Sequence, residues 1–308
     1  MKALVTGADG FVGRWLVEHL EASGDDVWSA SSTGTRRQSQ SLDLSDPASV
    51  RSLVSWARPE VIYHLAAVAF GPDASSDIGH ALDVTVRGTA YLLDAAVRLP
   101  NRPQVLIPSS SEVYGAVTAL PVTESHVVAP VNLYGATKVA QEAIGLAFHR
   151  SHGLPVAVAR AFNHIGPGQR TSFVVPSLAA QLAESAAAGG KGVIRVGNLS
   201  AQRDFTDVRD VVRAYRLIVV GRHVGEPINV ASGSAVSIGA VLERLIAASG
   251  LQVEVVVDPD RLRAVDVPVI VGSAERLTSL TGWQSAHSLA STIQDVWLDA
   301  VQRLIAAT

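Results

Sequence analysis

The sequence contains no cysteine, which excludes disulfides, thiolate metal sites and a cysteine nucleophile, and we expect no bound metal. No apolar run approaches the ~18 residues of a membrane-spanning helix, and only three apolar residues follow Met-Lys before Thr6, which predicts no signal peptide. The net charge of −3 offers no electrostatic reason to bind nucleic acid or an anionic membrane. These absences predict a cytoplasmic protein that binds neither.

Three glycines at three-residue spacing follow the first strand-like run. Gly7, Gly10 and Gly13 come after the apolar segment Lys2–Thr6, and residues 15–20 have a helical pattern. A strand, a glycine turn and a helix start present backbone N–H groups to a pyrophosphate, and the glycines allow a tight turn and close approach. The segment predicts a dinucleotide site, although an ordinary βα turn can also be glycine-rich.

Strand-like and helix-like runs alternate along the first half of the chain. The strand-like runs are 2–6, 26–30, 60–65, 104–109 and 155–160, and the helical ones are 12–23, 47–56, 80–98 and 134–151. This alternation predicts an α/β fold with a Rossmann doubly wound parallel sheet. We expect residues 1–165 to form the dinucleotide-binding domain, with a returning segment near 205–236. Residues 166–308 would form mainly a smaller C-terminal substrate-binding lobe.

A tyrosine and a lysine four residues apart share one face of the helix predicted near residue 134. A free phenol has a pKa near ~10, and a nearby ammonium such as Lys138 would lower the pKa of Tyr134. Ser109–Ser111 end the apolar run 105–107 and supply a hydroxyl group. Alone, the Tyr-x-x-x-Lys pair is more often a chance surface pair. Beside a dinucleotide turn, it predicts a hydride-transfer site.

At these residues the chain resembles the extended short-chain dehydrogenase/reductase family, which includes nucleotide-sugar epimerases, dehydratases and reductases. The resemblance implies that Ser110, Tyr134 and Lys138 are catalytic, with Glu112 at the position where dehydratases keep a carboxylate. The implied cofactor-binding residues are Gly7, Gly10, Phe11, Val12, Gly13, Ser31, Ser32, Arg36, Asp43, Leu44, Leu65, Ala66, Ala67, Tyr134 and Lys138.

The second half resembles the branch of this family that acts on GDP-mannose derivatives. The motifs that carry this resemblance are 162–169, 196–199, 203–210 and 266–268. The implied activity is NADPH-dependent reduction of the C4 ketone of GDP-4-keto-6-deoxy-D-mannose to GDP-D-rhamnose. The residues expected to contact the GDP-sugar substrate are Ser111, Asn163, Val175, Asn198, Arg203 and Arg263. A pyrophosphate calls for arginine forks, although either arginine could instead be a solvated surface charge.

The choice of cofactor depends on the end of the second strand. Enzymes that use NAD usually place an acid there, and this segment has none. Ser31, Ser32 and Arg36 or Arg37 could hold a 2′-phosphate, so NADP(H) is preferred. NAD(H) stays possible, because both arginines could be solvated loop charges.

Other reactions and an assembly state follow from the same resemblance. Glu112 keeps a GDP-mannose 4,6-dehydratase open as an alternative. A 3,5-epimerase/reductase uses a cysteine, which this chain lacks, and a dinucleotide-sensing protein without catalysis typically loses the tyrosine or the lysine.

In the family the helices at 80–98 and 134–151 pair into a four-helix contact, which implies a homodimer. The alternative is that their apolar faces are buried within one chain. The family's usual asparagine at position 85 is here Thr85.

Overall fold

The computed structural model describes residues 1–31, 38–69, 71–262 and 267–307. Four residues named above, Ser32, Arg36, Arg37 and Arg263, lie outside the described residues. Within those ranges, no helix combines the length and the apolar character needed to cross a membrane.

The described residues form thirteen strands and eleven α-helices. The strands are β1 Lys2–Thr6, β2 Asp26–Ser31, β3 Ser39–Ser41, β4 Val61–His64, β5 Gln104–Ser110, β6 Val156–Ala161, β7 Asn163–Ile165, β8 Lys191–Val196, β9 Gln202–Asp207, β10 Pro227–Val230, β11 Ala235–Ser237, β12 Gln252–Val257 and β13 Val269–Ile270. The helices are α1 Phe11–Ala22, α2 Pro47–Ala57, α3 Gly71–Ser76, α4 Ile78–Ala81, α5 Gly88–Val97, α6 Leu133–His152, α7 Val174–Ala187, α8 Val208–Val220, α9 Ile238–Ser249, α10 Glu275–Thr281 and α11 Leu289–Ala307.

A seven-stranded sheet in the order β10-β6-β5-β4-β1-β2-β3 forms the centre of the molecule, and all its strand pairs are parallel. This confirms the predicted doubly wound parallel sheet. Strand β1 lies between β2 and β4, so the chain reverses direction across the sheet beside β1. Ligands of such sheets bind at the carboxyl ends of the strands next to that reversal.

Helices cover both faces of the sheet because its strands are apolar on both sides. Ala3 and Val5 pack with side chains of α1 and α8, whereas Leu4 packs with side chains of α2 and α5. Successive side chains of a strand point to opposite faces, so the continuous apolar run 3–5 needs a layer on each side.

The remaining strands form the second lobe around a separate core. A four-stranded sheet combines β7, β9, β11 and β13, and β8 pairs with β12 in a two-stranded parallel sheet. Helices α7, α9 and α11 enclose the core of this lobe. Strand β10 and helix α8 return to the main sheet, which extends the layer around α1.

Two sequence-predicted segments differ in detail. The continuous helix predicted over 80–98 is divided, because a π-helical stretch, Leu82–Arg87, separates α4 from α5. The small residues of the segment 186–192 also predict a loop, and the observed loop is shorter, because α7 extends to Ala187 and β8 begins at Lys191. Gly189 and Gly190 make the turn between them with φ of 96° and 83°, a conformation that L side chains rarely adopt.

Candidate active site

The glycine turn after β1 leaves no space for side chains. Gly7 has a φ of +70°, and a Cβ added there would lie 2.9 Å from the backbone N of Ala66. A Cβ on Gly13 would lie 2.1 Å from the carbonyl oxygen of Gly7. The first bond of α1 runs from Arg14 N to the oxygen of Gly10, so the N–H groups of residues 11–13 point out of the helix end. These backbone donors fit a pyrophosphate.

The start of α6 is held against the end of β5. The side chain of Asn132 caps the helix by accepting from Gly135 N at 2.8 Å, and its amide donates to Glu112 Oε2 at 2.6 Å. A Cβ on Gly135 would lie 2.6 Å from the backbone oxygen of Glu112, so close packing requires glycine here. This arrangement brings the Tyr134 phenol close enough to Ser110 for the serine hydroxyl to influence its pKa.

The Tyr134 phenol is less acidic than free tyrosine. Burial raises its pKa from 10.0 to about 12, the hydrogen bond to Ser110 acts in the opposite direction, and the charge of Glu112 adds to the rise. The prediction that Lys138 lowers this pKa was wrong for this structure. The Lys138 ammonium lies 6.0 Å from the tyrosine ring centroid, too far to offset burial. Tyr134 is therefore protonated at neutral pH, which is the form that donates a proton.

Lys138 lies behind the tyrosine and is 5% exposed. Its ammonium donates to the Pro108 carbonyl at 3.0 Å and to Gln141 Oε1 at 2.9 Å. Burial lowers the pKa of this ammonium to about 8, and the charge of Glu142 acts in the opposite direction. Two of its three donors are used within the protein, so one is left for a ligand.

The other predicted cofactor residues lie along the same edge of the sheet. Ser31 is buried at the end of β2. Asp43 is exposed, and hydrogen bonds from the Ser45 hydroxyl and backbone lower the pKa of its carboxyl. Leu44 is buried against Gly88, and residues 65–67 follow β4 and are half-buried. Ser32 and Arg36 lie outside the described residues.

The predicted substrate residues are distributed over both lobes. Ser111 is buried directly after β5, and Asn163 is exposed at the start of β7. Val175 is completely buried in the core of the second lobe, so a ligand could meet only its backbone.

Two further predicted substrate residues are polar side chains of the second lobe. Asn198 is exposed, and its Oδ1 accepts from both N and Oγ of Ser200. Arg203 is half-buried and donates to the Val267 carbonyl at 2.7 Å. Arg263 itself lies outside the described residues.

Sequence reasoning missed the buried polar partners behind the site. Gln141, Thr89 and His64 are each at most 1% exposed and form a hydrogen-bonded chain behind Lys138. Glu142 forms a bidentate ion pair with Arg160. The only available signal was the position of Gln141 three residues after Lys138, on the same helix face.

The imidazole of His164 stacks on the Phe11 ring, with centroids 6.0 Å apart and planes inclined by 6°. Its Nδ1 lies 3.1 Å from the Phe162 carbonyl, and burial lowers the pKa of the ring. The contact joins the first residue of α1 to β7. A neutral, stacked imidazole here links the glycine turn to the strand that carries Asn163.

The sequence matches the family described as GDP-mannose 4,6 dehydratase over residues 4–296. The chain belongs to this family. The match confirms the resemblance to the extended short-chain dehydrogenases/reductases, and the prediction of a nucleotide-sugar enzyme is confirmed at the level of the family.

Individual similar proteins match this chain over almost its whole length. A GDP-6-deoxy-D-mannose reductase from Pseudomonas aeruginosa is 34% identical over 98% of both chains. A GDP-6-deoxy-D-talose 4-dehydrogenase from Aggregatibacter actinomycetemcomitans is 31% identical over 92% of both. The solved structure of RMD from Pseudomonas aeruginosa complexed with NADPH has a TM-score of 0.88 and 32% identity, over 98% of this chain and 100% of that one.

Proposed function

We propose that the protein reduces the C4 ketone of GDP-4-keto-6-deoxy-D-mannose to GDP-D-rhamnose with NADPH. The observation that carries the proposal is a phenol whose pKa is raised by burial, on a helix start packed against the end of β5, in the sheet whose first strand leads into the glycine turn. The similarity over nearly full length to a GDP-6-deoxy-D-mannose reductase supports the substrate.

Each residue of the site has a separate task in this reduction. NADPH, when bound, supplies the hydride. The glycine turn and the N–H groups of residues 11–13 would hold its pyrophosphate, and Lys138 would donate to its ribose. Tyr134 donates the proton to the C4 oxygen, and Ser110 orients that oxygen.

NADPH is proposed over NADH from the second strand and from a relative. Described residues at the end of β2 include no carboxylate, the group that would accept from a ribose 2′-hydroxyl. The structure of RMD was solved with NADPH. We expect Arg36→Ala to weaken NADPH binding and to leave NADH binding unchanged, measured by fluorescence titration; equal losses for both cofactors would contradict this role.

A 4,6-dehydratase is the second candidate, and Glu112 is the observation that favours it. Its carboxylate is half-buried in the turn after β5 and contacts the start of α6, which carries Tyr134, so it could serve as a base. The carboxylate is already bonded to the Asn132 amide at 2.6 Å, which instead supports a role in holding the helix start.

The decisive experiment supplies NADPH with a panel of 4-keto sugar nucleotides and follows the loss of absorbance. We expect consumption only with the GDP sugar. Conversion of GDP-mannose without net cofactor use would select the dehydratase.

Tyr134→Phe should lower turnover at least ~10²-fold and keep NADPH affinity, because only the proton donor is removed. Normal turnover of that variant would exclude Tyr134 as the donor.

We also propose that the protein is cytoplasmic and forms a homodimer. The dinucleotide-binding domain and the substrate-binding lobe would meet near residue 165. The outer face of α6 exposes Ala136, Ala143 and Ala147, and Ile78 and Leu82 beside it are 55% and 42% exposed. This apolar strip supports the four-helix contact between two copies. We expect a dimer by light scattering and a monomer for Ala143→Arg; a native monomer would refute the contact.

A further inference from the structure

A chain of buried hydrogen bonds begins at the ammonium of Lys138. Gln141 accepts from this ammonium at 2.9 Å and donates through its Nε2 to Thr89 Oγ1 at 2.8 Å. The Nε2 atom of His64 lies 3.0 Å from the same oxygen. Gln141, Thr89 and His64 come from three different elements, α6, α5 and β4, and none is more than 1% exposed.

The direction of each hydrogen bond follows from the donors available. The Thr89 hydroxyl donates its single proton to the Thr85 carbonyl at 2.6 Å, so its oxygen can only accept from Gln141 and from His64. The imidazole therefore carries its proton on Nε2. Burial, with a smaller contribution from the charge of Lys138, lowers the pKa of His64 to about 3, which keeps the ring neutral.

The other ring nitrogen of His64 continues the chain to the cofactor turn. Nδ1 lies 2.9 Å from Thr6 Oγ1 and, without a proton, accepts from this hydroxyl. Thr6 Oγ1 in turn accepts from the backbone N of Ala66 at 3.2 Å. Thr6 precedes Gly7, so the chain connects the lysine to the turn expected to hold the pyrophosphate.

This chain does not conduct protons. Gln141 passes neither charge nor proton between its oxygen and its nitrogen, and Thr89 has spent its proton on a carbonyl. Because the Thr89 proton is committed to the Thr85 carbonyl, the direction of each hydrogen bond in the chain is fixed. A buried amide bonded through both its oxygen and its nitrogen restricts where its partner ammonium can lie.

We propose that Gln141 is a positioning residue that fixes the Lys138 ammonium beside the tyrosine, and that Thr89 and His64 hold Gln141 in place. Gln141 and Pro108 together occupy two donors and so direct the third outward from the chain. The role in turnover rests on the proposed function; the contact itself does not.

Other titratable or charged groups interact with the ammonium or lie on the elements packed against α6. They are Tyr134 and Glu142 on α6, Arg160 on β6, His64 on β4, Glu112 after β5, and Asp83 with Arg87 in the π-helical stretch. Arg160 is paired with Glu142, and Asp83 is paired with Arg87 on the surface. Substitutions at position 141 leave all of these in place, so a change in titration reports on the amide.

Two substitutions of Gln141 should move the titration of Lys138 in opposite directions. Gln141→Leu removes an acceptor of the ammonium and should lower the pH midpoint by roughly one unit. Gln141→Glu, of nearly the same size, adds a negative charge and should raise it by a similar amount. The matched control is Gln104→Leu, a buried glutamine at the opposite end of β5.

The midpoint is measured on the native full chain by the pH dependence of amine acylation at Lys138, followed by peptide mass spectrometry. The second readout is the pH profile of kcat for reduction. We expect both to shift for the two Gln141 variants and neither for the control. Unchanged acylation midpoints in both variants would overturn the proposal. If Gln141→Leu does not fold, the shift in Gln141→Glu decides alone.

The two readouts separate this proposal from the proposed function. A shift in the acylation midpoint without a shift in the kcat profile would show that Lys138 takes no part in the reduction. The contact between Lys138 and Gln141 would still be supported. A native kcat profile together with a native acylation midpoint would refute the positioning role alone.

Discussion

Two neighbouring residues of α6 begin two buried networks of opposite character. Gln141 leads through Thr89 and His64, which are neutral, and leaves the Lys138 ammonium as the one charge of that network. Glu142 binds the Arg160 guanidinium with both oxygens, at 2.9 and 2.7 Å, so its network is charge-balanced. The first network keeps the Lys138 charge buried and links it to the glycine turn. The second network neutralises its own charges by pairing Glu142 with Arg160.

The Glu142 network also joins distant strands. Arg160 donates to the Tyr114 hydroxyl at 3.0 Å, and this hydroxyl donates to Asn229 Oδ1 at 2.7 Å on β10. Burial would lower the pKa of Arg160, but hydrogen bonds and the charge of Glu142 raise it. The active-site charge of Lys138 and the structural charge of Glu142 can therefore lie on one helix, because the first is bonded to a neutral amide and the second to a guanidinium.

Glu142→Ala should have the largest effect on stability. It leaves the buried Arg160 guanidinium without its partner, and we expect the free energy of unfolding to fall by about 3–5 kcal/mol. Urea denaturation measures this. The control is Asp94→Ala, which breaks an exposed pair with Arg98 and should cost less than about 1 kcal/mol. Equal losses in the two variants would mean that burial of the pair is unimportant.

His64→Gln should have an intermediate effect that depends on pH. The unfolded chain protonates this histidine below its ordinary pKa of 6.5, whereas the folded protein does so only near 3. Between these values the free energy of unfolding decreases as the pH is lowered, by about 1.4 kcal/mol per pH unit for this group. The variant should remove that slope, measured by denaturation from pH 7 to pH 4. The exposed His152→Gln should keep it, and a native slope in His64→Gln would contradict the neutral network.

Lys138→Met should have the smallest effect on stability. Removing a costly buried ammonium offsets the loss of its bonds to Pro108 and Gln141, so we expect a change of less than about 1 kcal/mol. Turnover in the reductase assay should nevertheless be lost. Denaturation as severe as that of Glu142→Ala would show that Lys138 is a structural charge like Arg160.

The sequence was sufficient for the sheet and for the motifs of the site. Short-range patterns predicted β1, β5 and α6, because an alternation of apolar runs with glycine turns is a local property. The same patterns did not predict the π-helical stretch 82–87. Within the stretch, the Thr85 carbonyl accepts from the Thr89 hydroxyl, and Gly88 directly after it packs against Leu44. Those contacts depend on how α5 meets α6 and the segment before α2.

The electrostatics of the site were the part least accessible from sequence. The spacing of Tyr134 and Lys138 indicated a mutual effect on pKa, but desolvation outweighs it, and desolvation is set by the surrounding layers. The Lys138 ammonium donates to Pro108 on β5 and to Gln141 on α6, of which only Gln141 is near it in the chain.

By itself, the sequence determined the parallel sheet, the glycine turn and the order of the serine, tyrosine and lysine, because each is encoded within a few neighbouring residues. Only the tertiary structure decided that the phenol stays protonated and that the ammonium is held by a neutral amide. Those properties arise from burial and from hydrogen bonds between Thr6, His64, Thr89 and Gln141, which are far apart in the chain and meet only when the sheet and its helices pack.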